Sequence, residues 1–565
     1  MPPSSELLSR RIAAAQGRLD CDLIVRDVQW LDVFSASWRI GDLAIIDGTI
    51  VATEPGLRAR RELPGRGKWA VPGFIDAHVH VESSLMSPRY FQQAVLPRGT
   101  TAAICDPHEI ANVEGPSGIR YFLDAAATLA LDLRVMLSSC VPATHLETNG
   151  GGTIDAAALR ALRGHPRALG LAEMMNVPGV LNASPEVLAK LLAFEGAPVD
   201  GHCPLVRGRA LSAYAAAGIS SCHESSELEE AREKLTKGVA VWIREGSVAK
   251  DLAALVPLLT LATSTTIGFC TDDRNPLDIL TEGHLDHLVR ESLRRGVPTE
   301  VAYRAASWSV ARHYGLDRGL SRTGALAPGY RADVVLLDDA ATCAISEVLV
   351  AGRSAAEAIA AAPSAPTSAP VNSVRATAPD ARALEGPSGR VHVIRVEPGK
   401  IITGREISAH DAPGVARLSV LERHGHGFPP ANGYARGFGA RLRGAIGSSV
   451  GHDSHNLIAV GDRASDMAAA FGFLISMGGG FCVVRDGAVL AELALPVAGL
   501  MSPADPQTLK TKLLALREAS AAIGCELPEP FLQLAFLSLP VIPSLKLTDR
   551  GLVDVDQFAL IGVGA

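Results

Sequence analysis

PGFIDAHVHVESS, residues 72–84, holds a short apolar strand that ends in two histidines. Successive side chains of a strand alternate between its faces, so His78 and His80 point to the same side. Neutral imidazole nitrogens are good ligands for zinc, iron and manganese. An HxH pair alone is weak evidence, because two histidines on a strand are often packed in a core or exposed on a surface. Whether this pair binds a metal ion depends on the residues at the ends of the other predicted strands.

The same arrangement, a buried apolar segment that ends in polar or ionisable residues, recurs along the chain. The segments are FIDAHVH (74–80), TTAAICD (100–106), LRVMLSSC (133–140), ALGLAE (168–173), PVDGH (198–202), ISSCHE (219–224), VAVWIREG (239–246) and TIGFCTDD (266–273). Helix-like stretches such as SPEVLAKLLAF lie between several of them. Eight buried strands that alternate with helices predict a (β/α)8 barrel of the TIM type over about residues 71–315, in the α/β class.

Reactive side chains fall repeatedly at the ends of these predicted strands. In this barrel the carboxyl ends of the strands meet at one rim, where active sites form. Glu173, His202, His223 and Asp272 end four further strands, and they join His78 and His80 there. These six residues could hold two adjacent metal ions with a carboxylate bridging them. The set predicts a binuclear metal site.

The segments on either side of the barrel predict further domains. Residues 21–70 read as short alternating strands with a hairpin turn at Asp47-Gly48. The later segment LAPGYRADVVLLDD (326–339) reads as strands that can join this N-terminal group. We therefore expect a small β-sandwich domain formed by residues 1–70 and 316–360. The Pro/Ala/Ser-rich residues 361–384 predict a linker, and residues 385–565 predict a separate C-terminal α+β domain.

Composition excludes several classes of protein. The 565 residues are 47% hydrophobic and 20% charged, with a net charge of -7 and a pI near 6.2. This balance gives no electrostatic reason to expect binding to nucleic acid or to a membrane. The nine cysteines form no CxxC pair, which fits a reducing compartment. With no signal-peptide core and no long apolar run, we expect a cytoplasmic protein.

PGFIDAHVHVESS, followed by a strand-end glutamate, two histidines and TDD, resembles the amidohydrolase superfamily of metal-dependent hydrolases. The resemblance implies that His78, His80 and Asp272 bind one metal ion and that His202 and His223 bind the other, with Glu173 between them. Many binuclear relatives use a carboxylated lysine on the fourth strand. Glu173 stands at that position with no lysine nearby, which argues against the hydantoinase and dihydroorotase branches.

Longer motifs resemble the adenine deaminase family and extend over nearly the whole chain. They are VESSLMSP (81–88), DPHEIANVEG (106–115), AEMMNVPGV (172–180), DGHCPLVRG (200–208), IREGSVAK (243–250), TDDRNPLDIL (271–280), EGHLDHLVR (282–290), GHDSHNLIAVG (451–461) and GGGFCVVRDG (478–487). The resemblance implies hydrolysis of adenine to hypoxanthine and ammonia in purine salvage, through a hydroxide that bridges two divalent metal ions. It favours Mn(II) or Fe(II), with Zn(II) also compatible. Because homo-oligomers are common for this architecture, we expect a homo-oligomer, a dimer, whose only other partner is the small-molecule substrate.

Deamination of a purine also requires proton transfers, which side chains at the rim can carry. Asp272 is placed to accept the proton of the hydroxide and to pass it to the departing ammonia. Glu82, two residues after His80, is a candidate donor to a ring nitrogen, or it orients a ligand histidine.

A further set of residues is expected to bind the substrate. His108 and Glu109 follow the second strand and either face the site or cap the next helix. Arg244, Glu245 and Ser247 end the seventh strand and either hold the purine or form an internal ion pair. His452, Asp453 and His455 belong to the C-terminal domain, where they reach the barrel as a lid, hold another metal ion or form a structural loop.

Three other functions compete with this interpretation. Zinc deaminases of the cytidine type combine HxE with PCxxC, and the latter is absent from the sequence. An amidohydrolase that acts on another aminopurine or a cyclic amide has the same ligands, because loops at the barrel mouth set substrate choice. A non-catalytic barrel scaffold usually lacks some of the ligands, whereas this chain has the full set.

Overall fold

A computed structural model describes residues 4–363, 368–400 and 402–565. The predicted linker residues 364–367 and the first three residues of the predicted β-sandwich domain lie outside the described residues. Before the barrel come helix α1 (Ser5–Ala15) and strands β1 (Cys21–Asp32), β2 (Ser37–Ile46), β3 (Thr49–Ala52), β4 (Ala59–Pro64) and β5 (Trp69–Pro72).

The barrel consists of eight strands, and each of the eight apolar segments of the sequence contains one of them. They are β6 (Phe74–Val79), β7 (Thr100–Cys105), β8 (Asp132–Leu137), β9 (Ala168–Met174), β10 (Val199–Gly201), β11 (Ser221–Cys222), β12 (Ala240–Arg244) and β13 (Ile267–Cys270). Every residue of β6 and β7 is buried, because helices cover a parallel sheet from outside.

Hydrogen bonds close these strands into a ring. Strands β6 to β10 form one parallel sheet and β11 to β13 another. The Ser220 amide donates to the Val199 carbonyl at 3.0 Å on one side of the ring. On the other side, Val79 and Asp272 form a parallel bridge. The predicted TIM-like barrel is therefore confirmed.

Helices connect the barrel strands and surround them. They are α2 (Pro88–Val95), α3 (His108–Glu114), α4 (Pro116–Ala126), α5 (Ala156–Arg163), α6 (Val177–Leu181), α7 (Pro185–Ala193), α8 (Gly208–Ala216), α9 (Leu228–Thr236), α10 (Leu252–Leu255), α11 (Pro276–Thr281), α12 (Leu285–Arg294), α13 (Thr299–Ala305) and α14 (Trp308–His313). Among the parts of the chain that the structure describes, no helix has the length and apolar character needed to cross a membrane.

The chain then returns to the strands that precede the barrel. It adds β14 (Val334–Asp339), β15 (Ala344–Val350), β16 (Arg353–Ser354) and α15 (Ala355–Ala361). Strand β14 pairs with β5, so the eight strands join in one sheet in the order β16-β15-β14-β5-β1-β2-β3, with β4 on β1. The hydrogen bonds thus make a single mixed sheet, in which β5 pairs with both β1 and β14. The sandwich arrangement stays a prediction.

The C-terminal part combines an antiparallel-rich sheet with three helices. Its elements are β17 (Arg390–Val396), β18 (Thr403–Ala409), β19 (Val415–Leu421), β20 (Ala431–Arg436), β21 (Ala445–Ser448), β22 (Leu457–Gly461), α16 (Ala464–Ser476), β23 (Gly480–Arg485), β24 (Ala488–Ala494), α17 (Pro506–Ala522), α18 (Pro530–Ala535), β25 (Leu545–Thr548), β26 (Gly551–Asp554) and β27 (Ala559–Ile561). Strands β17 to β24 form one sheet and β25 to β27 a smaller one.

Candidate active site

The two histidines at the end of β6 direct one nitrogen each to the same point. His78 Nε2 and His80 Nε2 lie 3.1 Å apart, and both rings are buried. His80 Nδ1 lies 3.0 Å from the carbonyl oxygen of Asp106, an acceptor, so Nδ1 carries the proton. In neutral His80 the lone pair is therefore on Nε2, where it faces the centre of the cluster. This is how a histidine is prepared for binding a metal ion.

Glu173, the last residue but one of β9, lies at the centre of the cluster. Its Oε2 is 2.7 Å from His202 Nδ1 and 3.3 Å from His223 Nε2. Its Oε1 is 3.5 Å from His80 Nε2 and 3.9 Å from His78 Nε2. The two carboxylate oxygens thus face two different pairs of histidines, which is the geometry of a bridging carboxylate.

Asp272 follows β13 and closes the cluster on the other side. Its Oδ1 lies 3.1 Å from His80 Nε2 and 3.6 Å from His78 Nε2. The turn holds Asp272 at a φ of 53°, a left-handed conformation that aspartate tolerates better than most residues. Its amide donates to the His78 carbonyl at 3.0 Å, which fixes the turn against β6.

The electrostatics of the cluster are those of anions and imidazoles brought together out of water. Burial lowers the pKa of His78 to about 4. The pKa of Asp272 is lowered despite burial, because His78, His80 and Arg244 stabilise the carboxylate. The pKa of Glu173 is lowered despite burial by His202, His108 and His223. The carboxylates are thus kept ionised, as metal ligands must be.

These donors fit divalent metal ions. Imidazole nitrogens and carboxylate oxygens, the donor types that bind such ions, converge here at 3.1 to 3.6 Å. Among the described residues, His78, His80 and Asp272 form one group of ligand atoms, and His78, Glu173 and His223 form another. All six predicted ligands lie in this cluster.

Five of the eight residues predicted to bind substrate line the same cavity as the predicted ligands. They are His108, Glu109, Arg244, His452 and Asp453. His108 Nδ1 lies 3.2 Å from Glu173 Oε1, so His108 faces the cluster directly. Arg244 donates to Asp272 Oδ2 at 3.0 Å, and it pairs with Glu224 and Asp251. Arg244 therefore forms the internal ion pair that was one of its two predicted roles.

The other three residues of that set, Glu245, Ser247 and His455, do not line the cavity. The Glu245 carboxylate accepts from the Leu252 amide, and the Ser247 hydroxyl donates to Asp278. Because strand residues alternate, a cavity-facing Arg244 turns Glu245 to the other side. His455 lies behind Glu109 and bonds to it, and it does not reach the cavity itself.

Glu82 was predicted to donate a proton to the substrate or to orient a ligand histidine. Its Oε1 accepts from the Ile110 amide at 3.2 Å, inside α3, and burial raises its pKa to about 8. The carboxyl group therefore holds its proton at neutral pH but lies outside the cavity lining. This position suits the orienting role predicted for Glu82 better than direct proton donation to the substrate.

Two polar residues of the site were missed by the sequence interpretation. Glu224 lines the cavity next to His223 and is held by Arg244. The Asp106 carbonyl oxygen accepts from His80 Nδ1. Its carboxylate accepts from the Ser138 hydroxyl at 2.8 Å through Oδ1, and Oδ2 lies 3.3 Å from His108 Nδ1. Both residues end predicted strands, so the strand-end pattern could have identified them.

The fold and site define an amidohydrolase. Residues 69–355 match the family model described as the amidohydrolase family. Residues 396–559 match a second model, described as the adenine deaminase C-terminal domain.

Similar proteins share the full length of the chain. An adenine deaminase of Methylobacterium nodulans is 51% identical, over 98% of this chain and 99% of that protein. One of Methylobacterium sp. is 52% identical, over 99% of this chain and 100% of that protein. One of Cereibacter sphaeroides is 51% identical, over 98% and 99%. The chain belongs to the adenine deaminase family.

Proposed function

We propose that the protein hydrolyses adenine to hypoxanthine and ammonia. The observation that carries the proposal is the convergence of four histidines on Glu173, with Asp272 beside two of them, in a chain that is about half identical, end to end, to adenine deaminases. Family membership speaks for the substrate, and the donor cluster speaks for hydrolysis with a metal-activated water.

Two divalent metal ions are part of the proposal. His78, His80 and Asp272 would hold one ion, His202 and His223 the other, and Glu173 would lie between them. Bound ions would lower the pKa of water to about 7 and so supply a nucleophile at neutral pH. Mn(II) or Fe(II) are the proposed metals, and Zn(II) suits the same nitrogen and oxygen donors.

The chain's own residues would then handle the protons. Asp272 accepts the proton of the attacking water through Oδ1 and delivers it to the amino group that leaves C6 of adenine. Arg244, which binds the other oxygen at 3.0 Å, keeps the Asp272 carboxylate in one orientation. Glu82, which accepts from the Ile110 amide, would hold the turn that follows His80 against α3.

The finer features of this proposal follow the sequence interpretation. We propose a cytoplasmic enzyme of purine salvage that works as a homodimer. Its domains are residues 1–70 with 316–360, the barrel 71–315, the linker 361–384 and the C-terminal domain 385–565. The Ser373 hydroxyl accepts from buried Arg423 at 2.6 Å, so part of this linker packs on the C-terminal domain.

Ammonia release by the Mn(II)-loaded protein tests the proposed function. We expect rapid turnover of adenine and at least about 10²-fold lower kcat/KM for guanine, cytosine and hydantoin, because an amino group at C6 is what the site must attack. Turnover of hydantoin or guanine in preference to adenine would show that the chain acts as another kind of amidohydrolase.

A further inference from the structure

The cavity above the ligands has two walls of different chemistry. The barrel supplies most of the polar groups. The C-terminal domain adds His452 and Asp453 and, beside them, an apolar wall that consists of Leu532, Phe536, Leu539, Val541 and Ile542. We propose that this apolar wall is a specificity determinant, which covers the flat face of the purine and disfavours substrates that carry a sugar. The inference rests on the proposed function and adds the residues that select the substrate.

The chemistry of the wall suits a free base. All five side chains are hydrocarbons, so they gain contact with an aromatic ring but offer no hydrogen bond. A ribose brought against this wall would leave its hydroxyl groups without partners, which costs binding energy for each group. The polar groups that can contact a substrate are Glu224 and Arg244 on the barrel side, and His452 and Asp453 next to the wall.

Part of the apolar wall is exposed. Val541 is 38% exposed, and Leu532 and Ile542 are half-buried, whereas Phe536 and Leu539 are buried. Apolar side chains left partly open beside a polar cavity gain free energy when a flat ligand covers them.

Contacts with His452 fix the position of the wall. The Phe536 ring stacks on the His452 ring, with centroids 5.1 Å apart and planes 11° from parallel. The His452 amide donates to the Ala535 carbonyl at 3.2 Å, and the Ser538 hydroxyl donates to the His452 carbonyl at 3.4 Å. The start of the wall is therefore attached to a residue that itself lines the cavity.

Glu109 of the barrel in turn holds His452. Glu109 Oε1 lies 2.8 Å from His452 Nδ1, and its Oε2 accepts from His455 Nε2. These three residues have the composition of a metal site, but the Gly451 amide donates to His455 Nδ1 at 3.3 Å. Nδ1 must then be the acceptor, so Nε2 carries the proton and cannot bind a metal ion. The trio is a hydrogen-bonded anchor between the domains.

Further bonds at the same seam make the wall a fixed part of the site. The Thr148 amide donates to Asp549 Oδ1 at 2.9 Å, and Asn456 Nδ2 donates to the Thr148 carbonyl at 2.9 Å. The Thr548 hydroxyl donates to the Leu146 carbonyl at 2.6 Å. These bonds join the C-terminal domain to the barrel loop that holds Leu146 and Thr148. They therefore keep the wall in a fixed position opposite the predicted ligands.

Truncation of the wall tests its role in the full-length, metal-loaded protein. We expect L532A and I542A each to raise KM for adenine about tenfold with kcat nearly unchanged, because they remove contact that is equal in the ground state and the transition state. The matched control is L514A, a half-exposed leucine on α17 that does not line the cavity. It should leave both constants unchanged.

Two further measurements make the test specific. Calorimetric titration of metal-free protein with hypoxanthine should show about tenfold weaker binding to I542A, which separates binding from chemistry. The preference for adenine over adenosine in kcat/KM, expected to exceed about 10²-fold, should shrink in the L532A/I542A double variant as the apolar contact recedes.

The outcomes are distinguishable. Suppose that the wild-type protein is active and that the wall variants keep its KM, its hypoxanthine affinity and its discrimination against adenosine. That result would refute the proposed role of the wall in specificity. A wild-type protein with no adenine turnover would overturn the proposed function, and the wall with it. A fall in kcat at unchanged KM would also contradict the wall, because it would place these side chains in the chemical step.

Discussion

At the scale of single residues, the two oxygens of the Asp272 carboxylate contact different neighbours. Oδ1 faces His78 and His80, and Oδ2 accepts from Arg244. The position of Asp272 at the end of a barrel strand was enough to predict a ligand. Its pairing with Arg244, which fixes the orientation of the carboxylate, depends on a residue that ends the neighbouring strand.

Replacement of Asp272 by asparagine should lower kcat for adenine by about 10² to 10⁴-fold with the fold retained, because the amide cannot accept and return a proton. The measurement is steady-state ammonia release, with circular dichroism to check folding. D251N is the matched control, since Asp251 also pairs with Arg244 but does not line the cavity. Near-normal turnover by D272N would refute the proton-transfer role.

At the scale of elements, helix α3 joins the barrel to the C-terminal domain. Its first residue, His108, faces Glu173, and its second, Glu109, binds His452 and His455. The N-terminus of α3 therefore contacts the cluster of predicted ligands through His108 and the C-terminal domain through Glu109. This arrangement makes the anchor sensitive to the charge of His452.

The anchor predicts a pH dependence of stability that has a definite sign. Despite burial, Glu109 raises the pKa of His452 from 6.5 to about 9. Protonated His452 thus stabilises the fold fully below about pH 6.5, and this contribution is lost as the pH rises through 9. In metal-free protein, the stability difference between wild type and H452Q should shrink by on the order of 3 kcal/mol from pH 6 to pH 10.

The control for this prediction is H455Q. Burial lowers the pKa of His455 to about 4, so His455 is neutral at both pH values and its replacement should cost a similar amount at each. Urea unfolding at the two pH values gives the measurement. A stability difference for H452Q that does not change with pH would show that His452 is uncharged in the folded protein.

At the scale of the whole molecule, the ligand cluster connects strands from all around the barrel. Its six residues end β6, β9, β10, β11 and β13 or lie directly after them. Metal ions bound there would therefore stabilise the barrel as a whole and not one local turn.

Removal of the metal ions by a chelator should lower Tm by several degrees and abolish turnover. A ligand that binds only the folded state at about 1,000 times its Kd stabilises it by about 4 kcal/mol. Addition of Mn(II) should restore both properties, whereas Mg(II), which prefers an all-oxygen octahedral site, should not. Equal Tm values for metal-free and Mn(II)-treated protein would contradict a structural contribution from the metal.

The sequence by itself determined the barrel and the cluster of six imidazole and carboxylate side chains at its rim. Alternation within a strand and the common rim of parallel strands are local rules, so His78 and His80 could be placed on one face and Glu173 and Asp272 at the same rim. The same rules could have identified Glu224 and Asp106.

Only the tertiary structure decided which of the remaining polar residues reach the cavity. Glu245 and Ser247 turn to other partners, Glu82 bonds to α3, and His455 stands behind Glu109. It also brought the apolar wall over the ligands. Glu109 and His455 are 346 positions apart, and contacts at such a separation depend on how two domains dock, which no local periodicity in the chain encodes.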